Sequence, residues 1–286
     1  MRLARFTRPD GREGFGVVDG EQVVDLAARV PSLLTLLADP AAAATADGDP
    51  RFAVADVRWL PPVTDAAKIV CAGLNFSTHA AETAHGAPTT RTATDHPTLF
   101  TRFPDSFVGA GEAVVRGPEG GQLDWEGEAA LVIGTPGRRI PEASALEHVA
   151  GWTCMAENSV RDWQLHSGQA VAGKNWEASG ALGPWVVTAD EIGDKALTVT
   201  TRLNGDVVQH DTTDHLTFPA AALIAYVSTF TSLRTGDVIA LGTPQGVGFR
   251  QDPPRFLRPG DEVEVEVDLV GVLRHAVVDA PATDGS

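Results

Sequence analysis

The sequence is poor in cationic charge, in cysteine and in long apolar runs, and each shortage excludes something. Lys and Arg number 22 against 38 Asp and Glu, a formal net charge of −16. Affinity for a polyanion comes largely from basic side chains that neutralise phosphates, so nucleic acid is not an expected partner. Only three of the basic residues are lysines, Lys68, Lys174 and Lys195, and chemistry that needs an amine has few candidates. No run approaches the roughly 18 to 20 apolar residues that cross a bilayer. The opening Met1-Arg2-Leu3-Ala4-Arg5-Phe6 lacks the apolar stretch of a signal peptide, so neither a membrane partner nor secretion is expected. Cys71 and Cys154 lie far apart in apolar surroundings, which suits reduced, packed thiols in a cytoplasm better than a disulfide framework. No Gly-x-Ser-x-Gly occurs, which removes the nucleophile elbow of serine hydrolases. The Gly-rich Gly242 to Gly248 has no Lys-Ser/Thr pair and is no P-loop; a tight turn or a backbone held close to a ligand suits it better.

What is present describes a globular protein with a real core: 286 residues, 43% hydrophobic and 21% charged. Residues 14 to 26 read as a hairpin about Asp19-Gly20, and Pro31 with Leu33, Leu34, Leu36 and Leu37 as a helical stripe. The Ala-, Gly-, Asp- and Pro-rich stretch from Asp39 to Asp49 follows, so that residues 1–62 form a small N-terminal module and linker. Beyond Lys68 the pattern is mostly strands: Ala129 to Ile133, Trp185 to Val187, Leu197 to Leu203, Val207 to Gln209, Val238 to Leu241 and the alternating Val263 to Val270. Asn204-Gly205 is a hairpin turn. Helical patterns fall at Thr78 to His85, Ala143 to Val149, Glu157 to Leu165 and Pro219 to Phe230. An α+β, mainly β architecture is expected. Gly86 to Pro97 is polar and Pro-bounded; it reads as a loop, either a lid or a plain surface connection.

Three segments carry candidate chemistry. In Asp124-Trp125-Glu126-Gly127-Glu128, read as one strand, alternation puts the three carboxylates on one face roughly 6 to 7 Å apart in succession. The apolar run that follows draws Glu126 and Glu128 toward the core, where an unpaired carboxylate is costly. A divalent cation solves this, and all-oxygen ligation points to Mg²⁺, Mn²⁺ or Ca²⁺; the alternative is a solvated acidic face. In the second segment Glu157, Arg161 and Gln164 share a helical face at i, i+4, i+7. Glu157 is a candidate third ligand, and Arg161 and Gln164 are candidates to hold an oxygen-rich anion; a surface Glu-Arg pair is the plain alternative. In the third, Glu82 can orient His79 at i, i+3 as a general base, against a purely structural histidine.

Together these segments resemble the fumarylacetoacetate hydrolase family over Lys68 to Val278. The motifs that carry the resemblance are Gly-Leu-Asn-Phe with His79-Ala-Ala-Glu82, Asp-Trp-Glu126-Gly-Glu128, Ser-Val-Arg161-Asp162-Trp-Gln164, Gly-Lys174, Leu-Gly-Pro-Trp, Leu-Asn-Gly with Gln209, and Leu-Gly-Thr243-Pro-Gln-Gly-Val-Gly. The resemblance implies a mixed β-roll or sandwich catalytic domain over 63–286, a homodimer, and Mg²⁺ or a similar ion on Glu126, Glu128 and Glu157. It implies His79 and Glu82 as the water-activating dyad, Lys174 as a catalytic cation, and Arg161, Gln164, Gln209 and Thr243 as substrate contacts. The implied activity is hydrolytic C–C cleavage of a small 2,4-dioxo acid through a metal-stabilised enolate. Isomerisation, hydration or decarboxylation of a related acid on the same scaffold, and a noncatalytic member, are the alternatives. Two departures stand out: Glu157 where the family usually has Asp, and Ala156 where Asn commonly precedes it.

Overall fold

A computed structural model describes residues 1–63, 68–84 and 95–281. Of the loop expected over Gly86 to Pro97, only Asp95 to Pro97 is among the described residues.

The chain opens on an antiparallel ribbon. Strands Glu13–Asp19 and Gln22–Asp25 pair as a hairpin with Asp19 opposite Gln22, and Gly20 takes the positive φ (58°) that the turn demands. Helix Leu33–Ala38 follows, capped by the Ser32 hydroxyl, which accepts from Thr35 N at 3.3 Å. It buries Leu33, Leu36 and Leu37 on one stripe. Arg51–Ala53, Gln22–Asp25, Glu13–Asp19 and Arg2–Thr7 lie side by side in that order. Arg2–Thr7 then pairs with Gly180–Thr188, Leu3 opposite Val186, so the N-terminal module continues a larger sheet. That sheet proceeds through Val149–Ala156, Gly127–Ile133, Val238–Ala240, Ile69–Gly73 and Thr98–Arg102. Most neighbours are antiparallel, but Val238–Ala240 runs parallel to Ile69–Gly73, which makes the sheet mixed.

A second sheet of five strands, Asp206–Thr212, Thr198–Leu203, Glu262–Val267, Gly271–Asp279 and Val114–Arg116, covers one face of the first. Its Asn204-Gly205 turn has φ of 53° and 89°, the twin positive values of a tight hairpin. Along Glu262–Val267 the valines face inward while Glu264 and Glu266 pair with Arg202 on the outer side.

The central strand Gly127–Ile133 is buried throughout. Ala129, Leu131 and Ile133 join the core beneath the second sheet, with Val199, Val263 and Val265. Ala130 and Val132 join the opposite core, with Leu36 and Leu37. Covering both faces is the reason this run is continuously apolar instead of alternating.

Two expected helices differ. Ala143 to Val149 is a 3₁₀ helix over Glu142–His148 that gives way to a strand at Val149. Of Glu157 to Leu165, only Arg161–Gln164 is helical: Glu157 follows the strand Val149–Ala156, and Ser159–Val160 pairs with Leu123–Asp124. The strand expected to reach Val270 ends at Val267, where a turn with Leu269 at φ 64° begins.

Candidate metal centre

The site grows from the register of two strands. Gly127 pairs with Ala156 and Glu128 with Met155, and one step beyond the ladder Glu157 N donates to Glu126 O at 2.8 Å. Glu126 and Glu128 flank Gly127 on the strand's other face, and Glu157 extends the face of Met155, so the three side chains converge. One carboxylate oxygen from each lies within 4.8 Å of the others. Gly127 has its own reason: a Cβ there would lie 2.0 Å from Thr201 Oγ1 on the second sheet, so only glycine admits the covering layer so close.

Asp124 departs from the one-strand expectation. The pairing breaks at Trp125 and Glu126, Trp125 enters the core, and the Asp124 carboxylate turns to the Arg161 Nε at 2.8 Å and to the backbone N–H groups of Gly248 (2.7 Å) and Phe249 (3.0 Å). The acidic run therefore splits: two of its members join the triad and the first anchors an arginine.

The triad is held among cations. Lys174 Nζ donates to Glu126 Oε2 at 2.8 Å and contacts Glu157 Oε2. Arg161 pairs with Asp124 and Glu126, and its Nη1 donates to Gln164 Oε1 at 2.9 Å. Arg102, absent from the sequence candidates, donates from Nη1 to Glu157 Oε1 at 2.9 Å. Four buried carboxylates thus face three cations. Burial opposes the charge of Glu126, yet Arg161 and Lys174 outweigh it and hold this carboxyl well below the usual range. Burial is also the largest influence on Glu157, and Lys174 and Arg102 offset only part of it, leaving it pushed up to about 7. Glu128 is pushed well up by burial, by Glu157 and by Glu126. Its hydrogen bond from Gly242 N, at 2.8 Å, is to backbone. Glu128 is where negative charge is least compensated, and a hard divalent ion among three carboxylate oxygens would supply what it lacks. The all-oxygen donor set fits a divalent ion such as Mg²⁺, Mn²⁺ or Ca²⁺.

The glycine-rich Gly242 to Gly248 cradles the protein's own carboxylates instead of a phosphate. Its N–H groups serve Glu128 from Gly242, Glu82 from Gly246 (3.0 Å) and Asp124 from Gly248. Gly242 does so at φ 103°, a conformation suited to glycine. Gln209 and Thr243 brace the same strand: Gly127 N donates to Gln209 Oε1 at 3.0 Å, Thr243 Oγ1 donates to Gly127 O at 2.9 Å, and Gln209 Nε2 donates to Thr243 Oγ1 at 2.8 Å.

Helix Ser77–Ala84 carries the dyad. His79, 7% exposed, sets Nδ1 2.9 Å from Glu82 Oε2, while Glu82 Oε1 takes the Gly246 N–H. His79 lies within electrostatic reach of Glu126. The start of the helix is tied down by Thr78 Oγ1, which donates to the buried Asp211 at 2.6 Å. Sequence spacing could find the i, i+3 dyad; Arg102 and Asp211 come from remote segments and left no local signal.

Residues 68–278 match the family model described as fumarylacetoacetate (FAA) hydrolase C-terminal, and residues 1–62 match one described as Rv2993c-like, N-terminal. Over 293 residues the chain is 36% identical to the mitochondrial oxaloacetate tautomerase Fahd2a of Rattus norvegicus, covering 97% of this chain and 92% of that protein. Among solved structures it is similar to a fumarylacetoacetate hydrolase from the psychrophilic Exiguobacterium antarcticum, with a TM-score of 0.85 and 32% identity over 98% of this chain and 100% of that one. It is also similar to the maleylpyruvate hydrolase of Sphingobium sp. SYK-6 in complex with manganese(II) and pyruvate, with a TM-score of 0.80 and 28% identity over 98% and 100% of the two chains.

Proposed function

The chain belongs to the fumarylacetoacetate hydrolase family, and on that premise we propose that it is a divalent-cation-dependent enzyme interconverting the keto and enol forms of a small 2-oxo dicarboxylic acid of the oxaloacetate class. The observation that carries this reading is three glutamate side chains on one buried face beside an oriented His79–Glu82 pair. The likeness to an oxaloacetate tautomerase over 97% of this chain and 92% of that protein supports keto–enol interconversion as the reaction.

Glu126, Glu128 and Glu157 would hold an Mg²⁺ or Mn²⁺ ion, which would supply Lewis acidity to stabilise enolate charge. His79 moves the proton. With Nδ1 against the Glu82 carboxylate, the tautomer that carries hydrogen on Nδ1 is favoured and the Nε2 lone pair is the base. It takes a proton from C3 of the keto acid while the C2 oxygen gains one from water, which gives the enol; in the opposite direction the C2 hydroxyl gives its proton to water and His79 returns one to C3. The Lys174 ammonium, buried between Glu126 and Glu157, supplies positive charge toward the C2 oxygen as negative charge develops there.

A second reading, C–C hydrolysis of a 2,4-dioxo acid, uses the same dyad to deprotonate water. The likeness to the two hydrolase structures favours it. The test gives chelator-stripped and Mn²⁺-loaded protein the enol of oxaloacetate and follows its ultraviolet absorbance, beside a panel of acylpyruvates followed by product mass. Metal-dependent loss of enol without change of mass is expected. Two smaller acids from an acylpyruvate would move the assignment to hydrolysis, and equal negligible rates with and without metal on both would overturn enzymatic function at this site. We further propose a homodimer in the cytoplasm. Free, buried Cys71 and Cys154 support a reducing compartment, and sedimentation velocity checks the dimer.

A further inference from the structure

Arg102 is 2% exposed and its donors are spent in a cage drawn from three segments. Nη1 donates to Glu157 Oε1 and Glu157 O, both at 2.9 Å, and to Asn158 O at 3.0 Å. Nε donates to Ser106 Oγ at 3.0 Å, and Nη2 to Ser179 Oγ at 3.1 Å. The guanidinium carbon lies 4.5 Å from the centre of the Phe107 ring. A point charge would suffice to neutralise Glu157; a planar fork gripped on every side also fixes where the carboxylate points.

Glu128 has one oxygen engaged by the protein, whereas Glu126 and Glu157 have both, because Lys174 Nζ donates to Glu126 Oε2 at 2.8 Å and contacts Glu157 Oε2. Glu126 Oε1 accepts from Ser159 Oγ at 2.9 Å, Glu128 Oε2 from Gly242 N, and Glu157 Oε1 from Arg102. At Glu126 Oε1 the hydroxyl is joined by the Arg161 guanidinium, and Glu128 is held by a backbone N–H. The hold on Glu157 Oε1 comes from an arginine on a different strand, Thr98–Arg102, and that on Oε2 from Lys174.

We propose that Arg102 sets the cation selectivity of the triad: by keeping Glu157 Oε1 for itself it leaves an incoming ion only Oε2, the oxygen that Lys174 contacts, and so favours Mg²⁺ and Mn²⁺ over Ca²⁺. The inference rests on the triad binding a divalent ion. Mg²⁺ takes six ligands in a tight octahedron and accepts one oxygen per carboxylate, whereas Ca²⁺ takes up to eight and readily accepts both oxygens of one carboxylate. A glutamate freed from Arg102 can turn both oxygens onto one ion, and the preference against Ca²⁺ is then lost. Arg102 acts through Glu157 and is a positioning residue.

The test is calorimetric titration of chelator-stripped protein with Mg²⁺, Mn²⁺ and Ca²⁺, which needs no substrate. Wild type is expected to bind Mg²⁺ and Mn²⁺ more tightly than Ca²⁺. Arg102→Lys keeps the charge and loses the fork; it is expected to weaken Mg²⁺ and Mn²⁺ by about tenfold, the size of effect typical of residues that orient a ligand, and Ca²⁺ by much less. Ser106→Ala, which removes the Nε partner together with that hydroxyl's bond to Phe103 O, is expected to move the ratio the same way by a smaller factor, and it decides the matter alone if circular dichroism finds Arg102→Lys unfolded. Unchanged selectivity in the folded variants, or a wild type that prefers Ca²⁺, overturns the proposal while leaving the metal site standing. A wild type that binds none of the three ions overturns the metal reading and this proposal with it.

Discussion

His275 offers a direct measure of what burial costs this fold. It lies on Gly271–Asp279 opposite Val263, its side chain is 1% exposed, and neither ring nitrogen has a hydrogen-bond partner among the described residues. Burial disfavours the imidazolium, and the pKa falls from its ordinary 6.5 to about 4. The unfolded chain therefore takes up a proton below pH 6.5 that the folded protein refuses until near pH 4, so stability is lost as pH falls through that window. A histidine that gains a carboxylate partner would behave in the opposite sense. Between pH 7 and pH 5 the linkage amounts to about 2 kcal/mol. His275→Leu replaces the ring with an apolar side chain of similar volume that cannot take up the proton. Urea denaturation of both proteins at pH 7 and pH 5, with metal present, isolates the effect, because the other titrating groups are common to both. The variant is expected to lose about 2 kcal/mol less than wild type between the two pH values. Identical losses in the two proteins would refute the reasoning.

Gly127→Ala should drive its new Cβ into Thr201 Oγ1, 2.0 Å away, with a loss of roughly 1–3 kcal/mol, the range for overpacking a core. A weakened metal affinity should accompany it, because Glu126 and Glu128 move with that backbone; Thr201→Ala in the same chain should restore part of both, and a stable, tightly binding single variant would contradict the close approach. Saturating Mn²⁺, at about a hundredfold above its dissociation constant, should stabilise the protein by about 2.7 kcal/mol. The gain should be larger at pH 8 than at pH 5, because the raised pKa values of Glu128 and Glu157 make protons compete with metal at low pH. Thermal melts with and without chelator read both, and a gain that grows on acidification would be the contrary result.

Local chemistry was legible wherever it depended on near neighbours in the chain. The hairpin about Asp19-Gly20, the Asn204-Gly205 turn, the buried run Ala129 to Ile133 and the His79–Glu82 spacing are consequences of backbone geometry over a few residues, and the structure places each where its pattern indicates. The helix expected from Glu157 to Leu165 is short for the complementary reason. Its i, i+4, i+7 spacing is real, but Ser159–Val160 finds a strand partner in Leu123–Asp124 and Arg102 holds the backbone oxygens of Glu157 and Asn158. Tertiary hydrogen bonds overrode a weak local preference.

By itself, then, the order of residues determined a mainly β chain, a Glu-Gly-Glu pair entering a buried strand, and a histidine with its carboxylate one helical turn away. Only the tertiary structure decided that Glu157 joins the pair while Asp124 leaves it for Arg161, that Gly127 is required by a second sheet pressing on its back, and that the glycine-rich loop spends its N–H groups on three carboxylates. Those outcomes depend on segments far apart in sequence meeting at a register that a long-range sheet alone sets, and a buried charge accepts whichever partner that register delivers.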